Sequence, residues 1–358
     1  GAFVAAETAG ASGREFLTGV AVGYEVMERL AADFIPTVMS RGFHASPVFG
    51  VFGAAVAAAK ILNFTEDQVN SVIGMCVHLA AGNLEGPRSG GRALREGAAV
   101  RNAMFAVSLA LMGQVGGETV LEGEAGFYHA YAGNNQGRLT YSFVGETKVS
   151  LENITQGLGQ DWMFLETLYR TYSTAGYNLA HVDVSAEICI ENNIRYEDVE
   201  RVEAVVNWLE TQYPSPAFPS RTEDGEARAG GTKYYTAYGV VERGFPMLRG
   251  QQMGVSDGAG DPPEVLELMN RVTIIPSHDM TLFGPRITIF TKNGQSYTKQ
   301  STGREFMWDF GEEARRIREV IPGLPITELQ FEDIINICRD LEQQERADCL
   351  IHMTTNQK

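Results

Sequence analysis

RGFHASPVFGVFGAAVAAAKILNF, residues 41–64, decides how this 358-residue chain folds. From Pro47 to Leu62 it carries no charge before Lys60, and Gly50, Gly53, Ala54, Ala57 and Ala58 recur at helical steps. That pattern predicts a helix from about Pro47 to Leu62 whose small residues let neighbouring helices approach closely. The weakly polar run Val48–Leu62 falls short of the roughly 18 apolar residues a membrane helix needs. A helix so poor in polar residues belongs in a core, so other helices must surround it.

Working outward, both flanks supply them. Ser12 and Glu15 form a capping box, followed by Phe16, Leu17, Val20, Tyr24, Met27 and Leu30 at helical spacing, with Pro36 expected to end that helix. Thr65 and Gln68 make a second cap, before Val69, Val72, Ile73, Cys76, Val77 and Ala80. A further helix is expected from about Gly97 to Leu111, stopped by Gly113. Later the period changes. Val202, Ala204, Val206 and Trp208 alternate as in a half-buried strand, Val272–Ile275 is rich in β-branched residues, and Asn293-Gly294 between two short runs signals a hairpin. Helices are expected on Val184, Ile188 and Ile190, over Tyr234–Val241, and from about Thr327, where Phe331, Ile334, Ile335, Cys338 and Leu341 share a face. Residues 214–231, with three prolines and many charges, read as a mobile loop.

The fold class is therefore mainly α, a large all-helical domain with a smaller α+β domain. The expected division is 1–167 helical, 168–302 α+β, and 303–358 returning to the helical domain. With 44% hydrophobic and 21% charged residues the composition is globular. A net charge of −16 without a Lys/Arg stripe argues against nucleic acid and anionic membranes as partners. Four scattered cysteines without a CxxC pair suit a reducing cytoplasm. No metal-ligand spacing, P-loop, GxGxxG after a strand, or GxSxG is present, so no metal or organic cofactor is expected.

Four clusters could carry chemistry. His44 stands at a helix entrance, where an imidazole can be held and still reach solvent, although a capping or core role is as good a reading of that residue by itself. Arg88, Arg92 and Arg95 lie in a glycine-rich segment leading into a helix, a cradle suited to carboxylates. Arg170 sits in Tyr169-Arg170-Thr171-Tyr172, near the change of period, and Lys233 and Tyr235 at a helix start. His78 and His129 read as structural, and His181 as ambiguous.

Taken in order, these clusters resemble the MmgE/PrpD family. Residues 41–64 are similar to its GFHPT-type segment, and GGRALREGAAVRNAMFAVSLALMGQVGGETVLEGEAGFYHAYA, residues 90–132, to its TKxLHxGxAA block and the helix and LEG-type segment downstream of it. The likeness runs from Ala5 to the C-terminal helix and is diffuse after Ser150. It implies a helical domain and an α+β lid with the active site between them, a homodimer, and elimination of water or CO2 from a small carboxylic acid without a cofactor. An isomerase or epimerase working by the same α-proton abstraction is a close variant. By position, His44 matches the family's active-site histidine, Arg92 its lysine and Tyr235 its lid tyrosine. Arg95 stands in place of a histidine, Arg170-Thr171-Tyr172-Ser173 in place of KPYP, and Leu179 about where a lid histidine is expected. Arginine stays cationic at every usable pH, so Arg92 is expected to bind anions rather than act as a base. The family's upstream Asp and His have no counterpart, which suggests a separate N-terminal chain, cleavage, or a non-catalytic subunit.

Overall fold

The structure is a computed structural model, and it describes residues 1–84, 91–134, 151–171, 174–212, 214–215, 218–219, 231–245 and 261–354. The chain divides into two units, Gly1–Thr167 with Glu328–Lys358, and Leu168–Thr327.

The first unit is helical: α1 (Ala2–Ala9), α2 (Gly13–Ala31), α3 (Ile35–Ser40), α4 (Ala45–Ile61), α5 (Glu66–Leu79), α6 (Gly91–Leu111) and α7 (Phe127–Ala132). Helix α4, uncharged until Lys60 in its last turn, is central, packing on α1, α2, α5 and α6. Its meeting with α2 explains the small residues. A Cβ on Gly53 would stand 2.9 Å from the Gly23 carbonyl oxygen, and one on Gly23 2.7 Å from that of Gly53. Gly50, by contrast, faces open space. Both capping boxes form, at Ser12/Glu15 and Thr65/Gln68. Phe127 closes the core against Phe49, Phe52, Tyr128 and Tyr131. A buried ion pair fastens the end of the first segment: Arg29 bonds Glu25 at 2.5 Å and donates to the carbonyls of Ile154, Gln156 and Asp161, while Glu25 accepts the Phe164 N–H.

Several expectations shift. Pro36 does not end a helix. After α2 stops at Ala31, a 3-10 turn (Ala32–Phe34) intervenes and Pro36 lies in the first turn of α3, where its missing N–H costs nothing. Helix α6 begins six residues before Gly97. Leu17 and Tyr24, expected on the buried face of α2, are more than a third exposed.

In the second unit, β1 (Val199–Asn207), β4 (Val272–Ser277), β5 (Arg286–Thr291) and β6 (Ser296–Gln300) form a sheet in the order β4-β1-β5-β6. β1 runs parallel to β4 and antiparallel to β5, and the Asn293-Gly294 turn joins β5 to β6, with Gly294 at φ 85°. The short pair β2 (Pro214–Ser215) and β3 (Phe218–Pro219) stands apart, and the rest of the segment expected to be mobile lies largely outside the described residues. Val202, Ala204 and Val206 of β1 bury fully in one core with residues of α8 (Asn178–Glu191), α9 (Thr232–Glu242) and α10 (Pro263–Met269). Helix α9 meets α8 closely, for a Cβ on Gly239 would lie 2.4 Å from the Val182 carbonyl oxygen. Ile190, expected on the buried face of α8, is 57% exposed.

The return to the first unit comes at Glu328 rather than at residue 303. Phe306 and Trp308 belong to the second core, the Tyr169 N–H donates to the Phe306 carbonyl, and Arg316 of α11 (Phe310–Val320) pairs with Asp183. Helices α12 (Glu328–Arg339) and α13 (Cys349–Thr354) then rejoin the first unit, where Leu341 and Leu350 enter its core. Among the described residues, no helix is long and apolar enough to cross a membrane.

Candidate functional site

In the first unit, His44 is the N-cap of α4. Its N–H donates to the Gly82 carbonyl at 3.0 Å, the Leu84 N–H donates to the Gly42 carbonyl at 2.7 Å, and Phe43 bridges Asn83. Residues 42–44 and 82–84 thus form a short two-stranded clasp at the mouth of the central helix. Gly82 has φ 129°, and a Cβ there would meet the Pro47 ring at 2.6 Å, so this crossing requires glycine.

The clasp brings in the arginine-rich block. Arg95 donates to the Asn83 carbonyl at 2.7 Å. Next to it, Glu96 sets one carboxylate oxygen 3.9 Å from His44 Nδ1 and takes a 2.7 Å hydrogen bond from the Ser46 hydroxyl on the other. The two sequence blocks that suggested chemistry therefore meet in space. Glu96 escaped the sequence reading, because nothing in helical periodicity reveals that residues 82–84 carry α6 to the entrance of α4. Arg88 and the Arg92 side chain lie outside the described residues.

The second unit holds the remaining candidates. Tyr235 is buried on α9, and burial pushes its phenol above the ordinary tyrosine range, partly offset by a hydrogen bond with the Thr174 hydroxyl. A buried neutral phenol is a hydrogen-bond donor at physiological pH rather than a base. The Arg170 guanidinium donates to the Thr174 carbonyl. Arg170 and Tyr235 thus converge on one residue, while Lys233 is half-buried in the first turn of α9.

His181, which the sequence left ambiguous, is fully buried. Thr236 Oγ donates to the Thr232 carbonyl, so it accepts from His181 Nδ1 at 2.9 Å, and Nε2 faces the buried Glu210 carboxyl at 3.2 Å. This chain of bonds ties α8 to both flanks of the segment between Gln212 and Gly231, a structural use of the histidine. His78 borders a surface hollow of about 470 Å³ with Glu124 and Tyr131. Among the described residues, no three His, Cys, Asp or Glu side chains gather as metal ligands.

Residues 1–140 match the MmgE/PrpD N-terminal domain. The cis-aconitate decarboxylase-like protein oryM of Aspergillus oryzae is 28% identical over 167 residues, 46% of this chain and 33% of that protein. Mouse cis-aconitate decarboxylase is 26% identical over 306 residues, 81% of this chain and 57% of the relative. That of Aspergillus terreus is 24% identical over 313 residues, 80% and 59%. The chain thus spans a third to three-fifths of the length of these curated relatives. The domain match takes in both blocks that build the His44 clasp, so residues 1–140 are similar to the MmgE/PrpD N-terminal domain, and the chain as a whole to cis-aconitate decarboxylases.

Proposed function

We propose that the chain belongs to a cofactor-independent lyase, of the carboxy-lyase or hydro-lyase type, acting on a small carboxylic acid. One observation carries this reading: the His44 entrance and the arginine-rich block fold against each other in the first unit. Proton transfer at carbon α needs an acid–base group beside a cation that offsets the charge growing on the neighbouring carboxylate. His44 is the acid–base group, and Arg88, Arg92 and Arg95 bind the carboxylates. In dehydration the C–H bond breaks toward His44 and hydroxide leaves with a proton. In decarboxylation CO2 leaves and the carbon takes a proton in its place. Tyr235 supplies a hydrogen bond, and Arg170 and Lys233 supply further positive charge. The likeness to cis-aconitate decarboxylases makes cis-aconitate the first substrate to try, with a homodimer as the proposed assembly.

The test is turnover and deuterium uptake in D2O with cis-aconitate and related polycarboxylates, followed by proton NMR. Product with loss of CO2 or water supports the lyase. Uptake at carbon α without elimination would point instead to an epimerase or isomerase, and neither product nor uptake to a non-catalytic subunit. His44→Ala is expected to lower turnover by roughly 10²–10⁴-fold with the fold retained. A lower melting temperature with turnover per folded molecule unchanged would make His44 structural.

A further inference from the structure

Glu96 lies in the second turn of α6, next to Arg95, and it faces His44 on terms that suit a particular task. Its distance of 3.9 Å from Nδ1 is too long for a hydrogen bond and short enough for the carboxylate to attract a protonated ring. A quarter of the histidine side chain is exposed while Nδ1 is shielded from solvent, so the exposure falls on its other atoms. The carboxylate is itself held: Ser46, two residues along the same helix as His44, donates to its second oxygen. The imidazole and its carboxylate are thus anchored to one turn of α4. Arg95, also at the clasp, has its guanidinium directed to the Asn83 carbonyl.

We propose that Glu96 is a positioning residue for His44, its Ser46-held carboxylate keeping the ring with Nδ1 inward and protonated, so that Nε2 is the nitrogen that exchanges protons. The inference rests on the reading of His44 as the acid–base group. A carboxylate beside one imidazole nitrogen favours the tautomer with hydrogen on that nitrogen and stabilises the imidazolium formed when the other takes a proton. In dehydration the substrate C–H bond breaks as an Nε2–H bond forms, and that proton leaves with the hydroxide as water. In decarboxylation the C–CO2 bond breaks and the Nε2–H of the imidazolium gives its proton to the carbon, the ring then regaining a proton from solvent.

Nitrogen-15 NMR of the histidine rings in the whole chain, with His44→Ala assigning the signal, tests the positioning without substrate. Neutral His44 should be mainly the Nδ1–H tautomer. Glu96→Gln should move it toward Nε2–H, Glu96→Asp should keep most of it, and Ser46→Ala should fall between. With cis-aconitate, Glu96→Gln should lower kcat about tenfold and leave KM within about twofold, with Glu96→Asp recovering most of the loss. An identical ring tautomer in wild type and Glu96→Gln overturns the proposal, as does equal loss of kcat in the Gln and Asp variants. Absence of any turnover by the wild type would count against the lyase reading, and the ring signals alone would then decide the role of Glu96.

Discussion

Cys76 carries the clearest pH signature in the first unit. Its thiol is fully buried, and burial pushes it from 9.0 up to about 12. The folded chain therefore keeps a proton that the unfolded chain releases. The contribution to stability is complete below pH 9 and is lost as pH rises toward 12, by about 1.4 kcal/mol per pH unit in that window. Urea midpoints taken from about pH 8 to about pH 10.5 should fall less steeply for Cys76→Ala than for wild type. Parallel curves would mean that the thiol ionises as easily folded as unfolded. At this scale the sequence was legible wherever residue type sufficed. Cations grouped in an acidic chain stood out, and so did a histidine at a helix entrance. Glu96 was not legible, because its role comes from a clasp of irregular backbone linking segments about 40 residues apart.

At the scale of elements, α4 offers a controlled comparison. Gly53→Ala would drive a methyl group to 2.9 Å from the Gly23 carbonyl oxygen, and overpacking of this kind costs about 1–3 kcal/mol. Gly50→Ala, on the same helix with nothing in reach, should stabilise by about 0.5–1 kcal/mol through helix propensity. Chemical denaturation of the two variants checks both signs, and a loss at Gly50 as large as at Gly53 would refute the packing account. The composition of α4 foretold close approach, but only packing could tell which small residue made it. Pro36 misled because proline marks the start of a helix as readily as its end. Asn293-Gly294 was legible because a tight hairpin with φ > 0 needs such residues whatever surrounds it.

For the whole molecule, the second unit is inserted into the first. The sequence suggested this return but placed it too early, because the segment around Phe306 and Trp308 looks neither more helical nor more polar than the residues after it. Its allegiance shows only in the core it joins. Closure of the first unit depends on a narrow fit. The Gly13 N–H donates to the Gln344 carbonyl, the Ala347 N–H donates to the Ala11 carbonyl, and a Cβ on Gly13 would stand 1.6 Å from the Leu341 carbonyl oxygen. Gly13→Ala should therefore loosen residues 341–350, seen as faster amide hydrogen exchange in α13 and its approach while α8 and β1 stay protected. Unchanged exchange there would show that the fit is not needed.

The discontinuity of the first unit also sets an order of events during synthesis. At about 5–20 residues per second, an interval on the order of ten to forty seconds separates the emergence of Thr167 from that of Leu350. Through that interval α1 and α2 have left the ribosome without Leu341 and Leu350, which complete their core. The second unit, continuous in sequence, has all its strands in hand while the first still waits. The nascent chain thus holds a finished insert beside an unfinished host, and that is the stage at which a chaperone would have most to shield.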